Sequence, residues 1–238
     1  FFFGYLTNGL MLQGAWTTIW LSVTSMILGL GLGVSAGMMK MYGNRALRWI
    51  AEFYIWLFRG TPVLIQLIII YTGLPQLGIR LSVVESAIIG LALNEGAYLA
   101  EVIRSGIMSV DKGQTDASRA VGMTWRQRMW MVILPQATRT IIPPLGNQFN
   151  GMLKTTSLAS VISMEELMRN AQMLAQIEFR VLEAYTVAAV WYLVLVSIWG
   201  LIQVRIEAHY EKPFGPAAAV SPDAKKDIEK ILRNSGQA

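Results

Sequence analysis

No charged side chain occurs between Phe1 and Met39. Within that run, Ala15–Met38 exceeds the roughly 20 residues a helix needs to cross the hydrocarbon core of a bilayer. Lipid offers no hydrogen-bond partner to a bare backbone, so such a segment is read as a membrane helix. The rest of the chain agrees. Only 15% of its 238 residues are charged and 54% are hydrophobic, against roughly 25% charged in soluble domains. The net charge of +5 does not point to nucleic acid, because the basic residues sit in short segments between apolar runs, as in cytoplasmic membrane loops. The absence of cysteine excludes disulfides, thiolate metal sites and cysteine nucleophiles. No basic region precedes the first apolar stretch, so no cleavable signal peptide is expected. Because the chain begins at Phe1 rather than Met, a short N-terminal piece is expected to be missing.

Four more apolar segments follow. They run over about 49–72, 83–110, 132–153 and 181–204. The span at 49–72 is interrupted by Arg59-Gly60-Thr61-Pro62 and should bend there, since proline removes a backbone donor and disfavours helix at the residue before it. The fourth contains Pro143-Pro144. Gly29, Gly33 and Gly37 recur every four residues in the first span, the spacing of a close helix–helix contact face. Met164–Leu174 reads as a short amphipathic helix. The expected fold is all-α: a five-span membrane domain over 1–211, then a polar tail over 212–238. Asp223–Arg233 has helix-forming composition, but a disordered tail is the expectation. Five spans place Lys40, Arg45, Arg48, Lys112, Arg119, Arg126, Arg128 and the basic tail on one side. The opposite loops hold mainly Arg80, Lys154, Arg169 and Arg180. The positive-inside rule makes the first side cytoplasmic and the N-terminus external.

Ionisable groups at membrane depth are costly and mark function by default. Glu95, in Asn94-Glu95-Gly96-Ala97-Tyr98, is the sharpest case, with two readings. It either contacts a substrate ammonium or guanidinium, or pairs with Arg59 or Arg104 or a broken helix end. Glu101 and Arg104 are spaced to pair with each other. Arg59-Gly60-Thr61-Pro62 and Lys154-Thr155-Thr156-Ser157 place polar and backbone groups near the outer half of the bundle. Such breaks expose helix ends to a ligand or serve as plain kinks. Arg59, Thr61, Glu95, Tyr98, Lys154, Thr155 and Ser157 are therefore the substrate-pathway candidates. His209 has no second ligand at helical spacing and suits the membrane interface better than a metal. One peripheral histidine also leaves no nucleophilic triad. The chain has no Gly-Lys-Ser/Thr phosphate loop, so any ATP that drives it must bind elsewhere.

Residues 116–135 form a cationic island between spans three and four. They resemble the signature of ABC importer membrane subunits, which reads Glu-Ala-Ala, three residues, Gly, nine residues, Ile, one residue, Leu-Pro. Here the positions are Asp116-Ala117-Ser118, Gly122, Val132 and Leu134-Pro135, with Asp for Glu, Ser for Ala and Val for Ile at unchanged spacing. Arg59–Gln66, Ala97–Ile107, Gly113-Gln114 and Lys154–Leu158 are similar to the polar amino-acid uptake permeases, and the resemblance extends from about Gly9 to Glu211.

The resemblance implies a type I ABC importer fold in a bacterial cytoplasmic (inner) membrane. It implies a second permease subunit, identical or related, two ABC ATPase subunits that hold ATP and Mg, an extracytoplasmic solute-binding protein and an amino-acid substrate. This chain would bind no cofactor itself. Asp116, Ala117, Ser118, Gly122, Trp125, Arg126, Leu134 and Pro135 would form coupling helices that sit in a groove of the ATPase. Gly122 would allow the turn between them, and Asp116 would suit a helix N-terminus. Pro135 would be tolerated near the start of the next span. Trp125 and Trp130 suit either a docking anchor or the lipid headgroups. A stand-alone secondary transporter or channel would need midplane ion sites and usually an internal repeat, and no repeat is visible. Enzymatic chemistry would rest on Glu95 or Glu101 alone, without a second acid–base group.

Overall fold

The computed structural model describes residues 2–210, and these are helical apart from short connections, with no strand among them. The polar tail and its expected Asp223–Arg233 helix lie outside the described residues. The elements are α1 (Phe2–Leu6), α2 (Gly9–Tyr42), α3 (Arg45–Gly60), α4 (Val63–Ile68), α5 (Val83–Met108), α6 (Lys112–Ala120), α7 (Trp125–Arg128), α8 (Leu134–Thr155), α9 (Leu167–Glu178) and α10 (Val181–Tyr210).

α2, α5 and α10 are long and apolar enough to cross a membrane. The second apolar segment is not one straight helix: α3 and the stretch Val63–Leu77 meet at 104°. Counted together they make a fourth candidate. α8 covers the expected fourth span and, at 22 residues, is long enough at about 1.5 Å per residue. It carries Gln136, Arg139, Asn147, Gln148 and Asn150, and does not reach the same apolarity. The first span is longer than expected. Asn8 caps α2 by accepting from the Leu10 amide, and the helix runs on to Tyr42 before Gly43 and Asn44 end it. The expected helix at Met164 begins later, at Leu167, because Glu166 caps it.

The Gly29, Gly33 and Gly37 face packs on α5, as the spacing predicts. A Cβ on Gly33 would stand 2.7 Å from the Leu99 Cβ, and one on Gly37 would stand 3.2 Å from the Ala100 carbonyl oxygen. α5 answers with its own small residues: Ala92, Gly96 and Ala100 face the same seam, and a Cβ on Gly96 would stand 2.8 Å from the Leu32 Cβ. Without a hydrophobic driving force between helices in lipid, this close backbone approach is what holds such a pair. An ion triad reinforces its end. Glu101 pairs with Arg104 at 2.9 Å, as expected, and with Lys40 of α2 at 2.6 Å.

Candidate functional site

The break between α3 and α4 organises the first site. Pro62 has no N–H, so the Phe58 carbonyl four residues earlier loses its helical donor. Two side chains replace it. The Asn94 amide of α5 donates to the Phe58 oxygen at 2.9 Å, and the Gln66 amide donates to it at 3.0 Å. Gln66 also donates to the Thr61 carbonyl and hydroxyl, and accepts from Asn94 at 3.1 Å. The Thr61 hydroxyl donates to the Leu57 carbonyl at 2.8 Å. The Leu57, Phe58 and Thr61 carbonyls freed at the bend are thus hydrogen-bonded by side chains, as a break at membrane depth requires.

Beneath the bend lies a cavity of about 320 Å³, walled by α4, α5 and α8. Thr61, Asn94, Glu95, Tyr98, Gln148 and Thr155 are its polar lining. Of the expected pathway residues, Thr61, Glu95, Tyr98 and Thr155 converge here. Arg59 stands beside them, its guanidinium carbon 5.3 Å from the centre of the Tyr98 ring. Lys154 and Ser157 do not join the group. They line a separate cavity of about 370 Å³ with Ala189, Tyr192, Leu193 and Val196 of α10. Lys154 and Thr155 are neighbours at the end of α8, about 100° apart around the helix, so their side chains open to different faces, and Ser157 of the following 3₁₀ turn shares the Lys154 face. Asn94, Gln66 and Gln148 were not singled out from the sequence, although amide side chains inside apolar segments are a visible signal.

Glu95 is 8% exposed. The pairing expected for it with Arg59 or Arg104 is not formed: among the described residues its carboxylate has no ion pair. Arg59 lies over Tyr98 and Arg104 is taken by Glu101. One Glu95 carboxylate oxygen has no hydrogen-bond partner, and Gln148 is its polar neighbour.

The second site is the segment between α5 and α8. α6 and α7 are short helices joined by a turn in which Gly122 adopts φ +79°. That left-handed conformation costs about 1–2 kcal/mol for a residue with a Cβ. Thr124 and Gln127 form a reciprocal capping box at the start of α7. Asp116 does not start a helix, contrary to expectation. Asp111 caps α6 by accepting from the Gly113 amide, which puts Asp116 in mid-helix, 3.8 Å from Arg119. The cap is won by the residue preceding the first helical turn, and that turn begins at Lys112. Ala117 also lies in α6, where Ser118 is buried. Arg126 is on α7, and Leu134 and Pro135 open α8 after a π-helical turn over Met129–Ile133. There the missing N–H of Pro135 costs little. Trp125 is 47% exposed and its ring meets Tyr42 of α2 edge-on at 5.5 Å. Val121, 74% exposed, marks the outermost turn.

Residues 29–212 match the family model described as binding-protein-dependent transport system inner membrane component. The chain belongs to that family. The matched range includes both the cavity and the paired short helices. The chain is 42% identical over 223 residues to the arginine transport system permease protein ArgU of Corynebacterium glutamicum, covering 87% of this chain and 70% of that one. It is 36% identical over 200 residues to the glutamine transport system permease protein GlnP of Escherichia coli, covering 83% and 91%. A crystal structure of an amino acid ABC transporter with histidines superposes with a TM-score of 0.80 at 36% identity, covering 84% of this chain and 94% of that one. An inward-facing MetNI methionine ABC transporter shares the fold, with a TM-score of 0.73 at 20% identity, covering 85% and 97%. This inner membrane component is thus a multi-pass permease subunit of an ABC importer, and works with other subunits rather than alone.

Proposed function

We propose that the chain is the membrane-spanning permease subunit of an ATP-binding-cassette importer for a polar amino acid, with a type I importer fold. In this reading five spans, α2, the bent α3–α4 unit, α5, α8 and α10, cross the bacterial inner membrane with the N-terminus outside. The 212–238 tail is cytoplasmic. A second permease, identical or related, completes the pathway. Two ATPase subunits hold ATP and Mg, and a solute-binding protein delivers the substrate from outside.

α6 and α7 are the coupling helices, seated in a groove of the ATPase through Asp116, Ala117, Ser118, Gly122, Trp125 and Arg126, with Leu134 and Pro135 carrying their movement into α8. Closure of the ATPase pair on ATP pushes this module, and α8, which walls the cavity, moves with it. The cavity then switches from inward- to outward-facing, and the docked binding protein releases substrate into it. The bend at Thr61-Pro62, Glu95, Tyr98 and Thr155 form the substrate path, with Arg59 at its edge. Lys154 and Ser157 belong to the neighbouring wall.

The observation that carries this reading is the exposed pair of short helices hinged at a left-handed Gly122, in a chain without a phosphate loop. Gly122→Val tests it. A Cβ there meets nothing within 4 Å in this chain, so within the permease the substitution acts through the backbone hinge. The expected result is normal membrane insertion with loss of substrate-stimulated ATP hydrolysis in the assembled transporter. Unchanged stimulation and uptake would overturn the reading.

A further inference from the structure

The cavity beneath the bend contains a buried carboxylate whose possible counter-charges are committed elsewhere. Lys40 and Arg104 serve Glu101, Arg59 covers the Tyr98 ring, and Lys154 opens into the other cavity. The remaining wall is also largely satisfied. The Asn94 amide donates to Phe58 and Gln66, the Thr61 hydroxyl donates to Leu57, and the Thr155 hydroxyl donates to the Gly151 carbonyl. Glu95 keeps an unpartnered acceptor oxygen, beside the Tyr98 and Gln148 side chains of the same wall. A buried carboxylate with an unpartnered oxygen is costly and persists where function requires it.

We propose that Glu95 is the specificity-determining group of this cavity and receives the distal cation, guanidinium or ammonium, of a basic amino acid. The assignment deepens the import reading and rests on it. The order of charges favours the side chain over the α-ammonium. Glu95 is deep and Arg59 exposed, so anion lies inside and cation outside. An amino acid entering side chain first puts its cation on Glu95 and leaves its α-carboxylate towards Arg59. A guanidinium offers five donors and no acceptor, which suits a carboxylate with a free acceptor oxygen. The cavity volume of about 320 Å³ falls at the lower end of the roughly 300–1,000 Å³ typical of small-molecule sites.

The test is equilibrium binding of radiolabelled amino acids to the purified permease–ATPase complex without its binding protein. Arginine, its uncharged isostere citrulline, and glutamine are compared. Wild type should prefer arginine to citrulline on the order of 30-fold or more, the effect of losing one partner of a buried charge pair. In Glu95→Gln that preference should collapse while glutamine binding holds. Wild type needs no variant to fold, so equal affinity for arginine and citrulline would by itself overturn the assignment. Equal loss of arginine and glutamine in Glu95→Gln would also overturn it, by assigning the carboxylate to the α-ammonium or to structure. A complex that binds none of these amino acids would also overturn the assignment, whereas the import reading falls only if vesicles holding the complex, ATP and the binding protein take up no amino acid.

Discussion

Asn94 of α5 donates to the Phe58 carbonyl of α3, the carbonyl that Pro62 deprives of its helical amide. The bond joins the bend to the helix that carries Glu95, one residue further on. The shape of the cavity wall and the position of its carboxylate are therefore fixed together. Gln66 supports the same carbonyl from the other side of the break.

Because the two amides share one acceptor, their loss should be non-additive. Asn94→Leu and Gln66→Leu should each lower stability by about 1 kcal/mol, the net value of a typical hydrogen bond. The double variant strips both side-chain donors from the Phe58 oxygen and should cost more than the sum. Melting temperatures of the three purified variants check this, and strictly additive shifts would show that the amides do not back one another up.

Gly33 should tolerate no side chain. Its added Cβ would meet the Leu99 Cβ at 2.7 Å and the Ala100 nitrogen at 3.1 Å, both on a packed helix. Gly33→Ala should destabilise by about 1–3 kcal/mol, as overpacking does. Gly31→Ala meets nothing within 4 Å and should stay within about 0.5 kcal/mol of wild type. Thermal melts of the pair in one detergent decide the matter.

Glu166 gives a pH dependence outside the spans. It is fully buried, accepts from the Met168 and Arg169 amides, and accepts from the Tyr192 hydroxyl at 2.9 Å. Burial raises its carboxyl above the usual range against the opposing pull of those bonds. A raised folded pKa means that the native state holds the proton more tightly than the unfolded chain. Its contribution is then full below about pH 4.3, the ordinary glutamate value, and is lost as pH rises through the folded value. Glu166→Gln should flatten that decline, seen in melting temperature against pH. Glu166→Ala should cost most at low pH, about 2–4 kcal/mol from the lost cap and the stranded Tyr192 hydroxyl, and less as pH rises.

What was legible in the sequence was what depends on spacing along one helix or on a missing backbone donor. The Gly29, Gly33 and Gly37 seam, the Glu101–Arg104 pair, the break at Pro62 and the turn at Gly122 all follow from such local rules. What was not legible depends on how helices meet. Glu95 was a candidate for pairing with Arg59, but the Tyr98 ring holds that guanidinium instead. Lys40 reaches Glu101 from 61 residues away. Thr155 enters the central cavity and Lys154 does not, because adjacent residues of α8 point about 100° apart and only the packing of that helix decides which face meets the cavity. The capping role went to Asp111 rather than Asp116 since both are acidic and only the true helix start separates them.

The central claim is that α6 and α7 receive work from an ATPase this chain lacks. The absence of native cysteine permits a direct measurement: a single Val121→Cys at the exposed turn, crosslinked in membranes to a cysteine lining the groove of the partner ATPase. The account predicts a specific permease–ATPase product whose yield changes with ATP. Efficient insertion and assembly with no such product, under conditions where a cysteine on the opposite end of the bundle does crosslink to the ATPase, would contradict it.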